Sequence, residues 1–175
     1  DEHGILARNL ARKVNCNALV IPDQAKPQLK KILVPVDFSD NSVAALQTAL
    51  AINRQLEEKA KVVVLNVYDM PNMSVYRVQK SRAQLKEMLE EDRREAFEAF
   101  LFSHAPEDVD EIETVLLERT HPGISSYITD YARDEDADLI VMGAKGHSKV
   151  ELLLLGSITE KVLTDNNRIP TLIVK

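Results

Sequence analysis

Lys31-Ile32-Leu33-Val34-Pro35-Val36-Asp37 is the stretch on which the reading of the fold turns. Its nearly continuous apolar run suits a strand buried on both faces, as in a parallel sheet, and not the alternation of a strand with one wet face. Pro35 lacks the amide that a central ladder needs, which places it at the C-terminal end of the strand. Ser39-Asp40-Asn41 then offers N-cap side chains, and Val43, Ala44, Leu46, Leu50 and Ile52 follow at helical spacing.

The same alternation continues outward. Val62 to Val67 is a second apolar strand, and a loop around Pro71 follows it. From about Val78 to His104, Leu85, Met88, Leu89, Ala96, Phe97 and Phe100 make one buried stripe, while the Arg and Glu residues between them form a solvated face. Ile112 to Leu117 is a third strand. Thr120-His121-Pro122 predicts a cap with Pro at the first position of a helix running through Ile124, Tyr127, Ile128 and Tyr131. Leu139 to Met142 is the fourth strand, Ser157 to about Thr164 a helix, and Thr171 to Val174 the fifth strand. Strands separated by helices imply a doubly wound α/β fold: a five-stranded parallel sheet of order 3-2-1-4-5 with helices on both faces. Such sheets bind ligands beyond the carboxyl ends of their strands, where the winding reverses. Asp37, Val67 to Asp69 and the glycines after Met142 occupy those positions.

Residues 1–22 stand apart. Gly4 to Val14 has a helical pattern with Ile5, Leu6, Leu10, Ala11 and Val14 on one side, and Ala18-Leu19-Val20-Ile21 reads as a strand. The chain's own end has the same order, from Gly156 through Ile158, Val162 and Leu163 to Leu172-Ile173-Val174. Gly4 precedes Leu19 by 15 positions and Gly156 precedes Leu172 by 16. Residues 1–22 are therefore expected to be the tail of a preceding domain of the same kind, 23–30 a linker and 31–175 the domain proper. The alternative is a helix and strand private to this domain.

Composition narrows the function classes. The 175 residues are 45% hydrophobic and 29% charged, which describes a globular domain able to bury a core without metal or disulfide. Cys16 is the single cysteine, which suggests a reducing, cytoplasmic setting. No apolar run approaches the roughly 20 residues needed to span a bilayer, so no membrane role is expected. A net charge of −6 argues against nucleic acid as a partner. Four scattered His and one Cys give no metal-ligand spacing, and no catalytic triad or nucleophile elbow can be assembled.

Three of the five glycines lie between Gly143 and Gly156. Gly143-Ala144-Lys145-Gly146, nine further residues and Gly156-Ser157 have the makings of a phosphate loop: backbone able to approach closely, then a helix N-terminus with unpaired amides. Lys145, His147 and Lys149 place positive or titratable charge beside it. The spacing is neither a Walker loop nor a dinucleotide turn. Each glycine taken singly also fits a strand end or a loop break.

Gly-x2-Gly-x9-Gly-Ser resembles the phosphate-binding signature of the ATP-binding branch of the universal stress protein family. Lys30 to Ser39 is similar to that family's first strand and Asp138 to Gly143 to its fourth, so the resemblance covers about residues 30–175. It implies a stress-response module that binds an adenine nucleotide, ATP with or without Mg²⁺, and hydrolyses it slowly if at all. Under it, Asp37 is the carboxylate near the nucleoside, with Pro35 and Val36 beside it. Val67 lines the adenine pocket, Met142 and Gly143 form the nucleoside edge, and Gly146, Gly156, Ser157 and the Ile158 backbone meet the phosphates. Asp37 also fits a helix-capping carboxylate. Two other functions stay open: an adenylyl-transfer enzyme of the related class, whose glycine-rich loop after the first strand is missing here, and a structural family member with an empty pocket. The family further implies a homodimer, or a tandem pseudo-dimer, through the last strand, and Ala18 to Ile21 are expected to pack along Thr171 to Val174, within this chain or its partner.

Overall fold

The computed structural model describes residues 2–70, 81–145 and 155–175. In chain order the elements are α1 (Glu2–Lys13), β1 (Ala18–Val20), β2 (Lys31–Pro35), α2 (Asp40–Gln55), β3 (Lys61–Asp69), α3 (Arg82–His104), a 3-10 turn (Val109–Glu111), β4 (Ile112–Arg119), α4 (Ile124–Asp134), β5 (Leu139–Gly143), α5 (Ser157–Asp165) and β6 (Thr171–Val174). Among the described residues the sheet has six strands in the order β1-β6-β5-β2-β3-β4. Five of them, β2 to β6, are parallel in the order the sequence predicts. The sixth, β1, joins antiparallel to β6, with Ala18 opposite Ile173 and Val20 opposite Thr171.

Alternation along each strand divides the core in two, because successive side chains point to opposite faces. Ile32, Val34, Val62, Val64 and Val141 pack against Leu46 and Ala49 of α2 and against Phe97 and Phe100 of α3. Leu33, Val63, Leu65, Ile140 and Ile173 pack against Ile128 and Ala132 of α4, Val162 and Leu163 of α5 and Ala11 of α1. Ile32, Leu33, Val34 and Ile140 are wholly buried. Each contributes about 1.5–3 kcal/mol through removal from water, and this burial selects the parallel arrangement.

Side chains set the element boundaries. Ser39 caps α2 by accepting from the Ser42 amide, and Ser81 with Gln84 forms a reciprocal capping box on α3. Asn53 seals the turn into β3, donating to the Ala60 carbonyl and accepting from the Ala60 amide. At the amino ends of the strands, the same end as the Asn53 turn, buried Asp138 accepts from the amides of Lys30 and Lys31 and from the Gln28 side chain, which fixes the start of β2 beside β5.

Two expected boundaries move. α4 begins at Ile124 and not at Pro122, because Gly123 intervenes with φ 97°, a left-handed conformation that breaks the helical run. The Tyr127 hydroxyl then accepts the amides of Thr120 and His121, holding them outside the helix. α3 is described from Arg82 onward, so residues 78–80 of its expected span lie outside the described residues.

The appendage is docked on the domain. Arg8 donates to Thr164 and Arg12 pairs with Glu160, both on α5, while the Lys175 amide donates to Asn17.

Candidate functional site

The winding reverses at β2: the chain moves from β2 through β3 to β4 on one side and returns to β5 on the other. A cleft opens beyond the carboxyl ends of these strands, as this topology favours. Pro35, Val36, Leu65, Val67 and Met142 form its floor, and Ile124, Ile128 and Ile158 close it from α4 and α5. Asp37, Ser42, Lys145 and Thr159 supply the polar rim. The described walls enclose about 90 Å³. An apolar slot with a few convergent polar groups suits a flat, partly polar small molecule.

Asp37 is placed by the tight turn between β2 and α2. Its carboxylate accepts from the Ser39 amide at 3.1 Å, the Ser39 hydroxyl at 2.5 Å and the Ser42 hydroxyl at 2.6 Å. It therefore stabilises the start of α2 while standing on the cleft rim. The capping contacts of the second sequence reading are present, and the carboxylate that makes them also lines the cleft. Phe38 next to it takes φ 64°, which is unusual for a bulky side chain, and its ring sits edge-on to Phe97 and Phe100 with centroids 5.2 and 5.4 Å away.

The glycine segment is pinned at both ends. The Ala144 amide donates to Val174, and the Gly156 amide returns to the Ala144 carbonyl at 2.6 Å, so the chain leaving β5 comes back to its own starting point. The Thr159 hydroxyl donates to the Gly143 carbonyl at 3.0 Å, holding α5 against the end of β5. Gly156 caps α5 without a side-chain hydrogen bond, so the amides of its first turn point outward with no help from the cap residue. Gly143 has a steric role that its spacing does not reveal: a Cβ there would lie 2.7 Å from the Asn41 Cβ and 2.8 Å from the Asn41 carbonyl oxygen.

Of the sequence candidates, Pro35, Val36, Asp37, Val67, Met142, Gly143, Lys145 and Ile158 line one cleft, and Gly156 and Ser157 open the helix beside it. Gly146 and His147 lie outside the described residues. Ile124, Ile128, Leu65, Ser42 and Thr159 also line the cleft, and no motif in the sequence marks them as site residues. The two isoleucines of α4 read as ordinary core from their four-residue spacing, and only their place at the sheet's carboxyl end distinguishes them.

Charge beyond the cleft is also arranged. Burial and then the neighbouring Lys145 hold the Lys175 ammonium below its ordinary value. Burial, followed by a hydrogen bond to Glu90, raises the Tyr68 phenol.

Comparison with known proteins gives a consistent result. Residues 28–175 match the universal stress protein family. The universal stress protein MJ0531 of Methanocaldococcus jannaschii is 34% identical over 146 residues, covering 83% of this chain and 82% of that one. MJ0577 of the same organism is 30% identical, and its solved structure superposes with a TM-score of 0.63 over 83% of this chain and 95% of its own. A longer structure, PA1789 of Pseudomonas aeruginosa, shares the fold with a TM-score of 0.65 at 22% identity. The likeness takes in 95% of this chain and 54% of that one.

Proposed function

We propose that this chain, which belongs to the universal stress protein family, holds an adenine nucleotide in the cleft beyond β2, β3 and β5, and that ATP is the ligand to test first. The observation that carries the reading is that Asp37 and the Gly143-to-Lys145 segment, 106 positions apart at their nearest named glycine, line one cleft. The apolar slot between Val67 and the isoleucines of α4 suits a purine ring. Asp37 stands where a sugar hydroxyl can donate to it. Lys145 and the first-turn amides of Ser157 and Ile158 are suited to phosphate oxygens, through charge and the positive end of the helix dipole. A Mg²⁺ ion bound with the nucleotide would bridge phosphates and need few protein ligands.

The module is a nucleotide-dependent regulator in stress survival, with hydrolysis slow or absent. An adenylyl-transfer enzyme fits less well: the turn after β2 carries Phe38 where such an enzyme has glycines, and both nearby serines are bonded to Asp37. Mass spectrometry of small molecules released from denatured protein, together with a melting shift on adding ATP, tests the binding reading. Gly146→Asp abolishes both by placing bulk and negative charge among the phosphates. Normal binding by that variant removes the site. Pyrophosphate release on turnover favours the enzyme.

Residues 1–22 belong, in this reading, to the end of a preceding domain of the same family, making a tandem pseudo-dimer through β6. Three features support it: the antiparallel β1–β6 pair, the exposure of Leu10, Leu19 and Ile21, and a longer structural neighbour whose likeness extends into the appendage. Hydroxyl-radical footprinting of a chain that includes the preceding domain should protect Leu19 and Ile21. Labelling equal to that of this chain alone refutes it.

A further inference from the structure

β4 ends the sheet on the side away from the appendage. Its inner edge pairs with β3 over eight residues, and among the described residues its outer edge pairs with nothing. The opposite edge differs, because β1 already covers β6 there. Beside this edge runs an open groove between α3 and β4 whose lining mixes Phe102, Ile112 and Leu116 with charged Arg94, Glu95 and Glu98. Phe102 is 76% exposed. An eight-residue edge strand with no strand beside it among the described residues is a ready template for another strand.

Charges identify what fits it. Edge charges ordinarily prevent pairing. Here Glu113 and Arg119 lie on one face of β4, three positions either side of Leu116. An antiparallel copy of the same strand, related by a two-fold axis through Leu116, sets Glu113 against Arg119 of the partner subunit and Arg119 against Glu113 of the partner subunit. It also sets Val115 against Leu117 of the partner subunit. A shift of two residues, which keeps the same faces together, sets Glu113 against Leu117 of the partner subunit in one direction and Arg119 against Val115 of the partner subunit in the other, so within β4 the register about Leu116 is the one that pairs both charges. Within the chain Glu113 also pairs with Lys61 and Arg119 with Asp69. The assembled edge would then carry a row of alternating sign, Lys61, Glu113, Arg119 of the partner subunit and Asp69 of the partner subunit. These ion pairs are exposed and worth little alone, so sharing them costs little.

We propose that the outer edge of β4 pairs with the same strand of a second copy of this chain, antiparallel about Leu116, joining two sheets into one. The contact lies away from the cleft and does not depend on what the cleft binds. Two-fold contacts of this kind are self-complementary by construction.

Sedimentation equilibrium of the chain, with and without ATP, tests it. The expected result is a concentration-dependent dimer whose dissociation constant rises by about tenfold or more in Arg119→Glu and in Glu113→Arg, where like charges face each other twice. The double swap Glu113→Arg/Arg119→Glu restores the dimer, which also shows that loss in the single variants was not misfolding. Leu19→Lys, on the other edge, leaves it unchanged. A monomer up to about millimolar concentration, a dimer indifferent to Arg119→Glu, a folded double swap that stays monomeric, or a dimer lost in Leu19→Lys each overturns the proposal.

Discussion

Ser42 and Asp37 are joined twice: the Asp37 amide donates to the Ser42 hydroxyl at 2.9 Å, and that hydroxyl donates onward to the Asp37 carboxylate at 2.6 Å. The carboxylate on the cleft rim is thereby fixed to the first turn of α2, and its two proposed roles can be separated. Ser39→Ala removes the cap of α2 and one donor to Asp37, and should cost about 1 kcal/mol in stability with ATP affinity retained. Asp37→Asn keeps an acceptor in the turn but removes the charge, and should weaken ATP binding by about tenfold. Chemical denaturation and calorimetric titration of both variants check this. Unchanged affinity in Asp37→Asn would reduce the residue to a cap.

Gly143→Ala should destabilise the fold by about 1–3 kcal/mol, since the added methyl meets the Asn41 carbonyl oxygen and Cβ, and backbone yields poorly. The expected fall in melting temperature is a few degrees for a chain of this length. A melting point within one degree of the parent would show that α2 can retreat from β5.

These two cases show how far the sequence could be read. The strands were legible because Ile32, Leu33, Val34 and Ile140 are buried on both faces, and continuous apolar runs record that directly. Their order followed from the strand-helix alternation, and the gathering of Asp37 and Gly143 followed from the order. Steric fit was not legible. Nothing near Gly143 in the chain announces Asn41, about a hundred positions earlier, as the atom it must avoid. α4 starts two residues later than the sequence predicts, because Pro122 favours a helix start locally, while Gly123 and the Tyr127 hydroxyl oppose it through geometry that composition does not encode. Ile124 and Ile128 were visible as apolar positions, but their place over the cleft depends on how α4 packs on the sheet.

Ile124→Asn should therefore reduce nucleotide affinity more than it reduces stability. Ile124 is only partly buried, yet it forms part of the slot proposed for the base. Ile128, which is 3% exposed, should cost about 2–5 kcal/mol on replacement by Ala and so confound the two effects. Titration of Ile124→Asn with ATP decides the matter. Parent-like affinity would move the base away from α4.

Tyr68 gives the fold a dependence on alkaline pH. Its buried hydroxyl donates to Glu90, and burial, then this bond, raises the phenol above its ordinary 10.0. The unfolded chain releases the proton first, so the stabilising contribution is whole below about pH 10 and is lost as pH climbs through the folded value. The stability difference between the parent and Tyr68→Phe should shrink over that range. A difference that stays constant to pH 11 or so would show that the phenol is not raised.

Ala11→Arg should free the appendage without unfolding the domain, because Ala11 is 2% exposed between α1 and the rest of its core cluster. Hydrogen exchange would then quicken at Ala18–Val20 and stay slow at Ile32–Val34. Equal quickening at both would mean that the appendage and the central sheet open as one cooperative unit.

The direction of β1 has a mechanical consequence. Since it runs opposite to β6, Asn17 and Lys175 emerge from the same end of that pair, where the Lys175 amide bonds to the Asn17 side chain. Tension between the two chain ends loads the rungs in turn, as when a zip is drawn open, whereas parallel neighbours must slide past one another with every rung strained together. A pulled molecule should therefore shed its strap at lower force than it takes to part the parallel strands that carry the cleft.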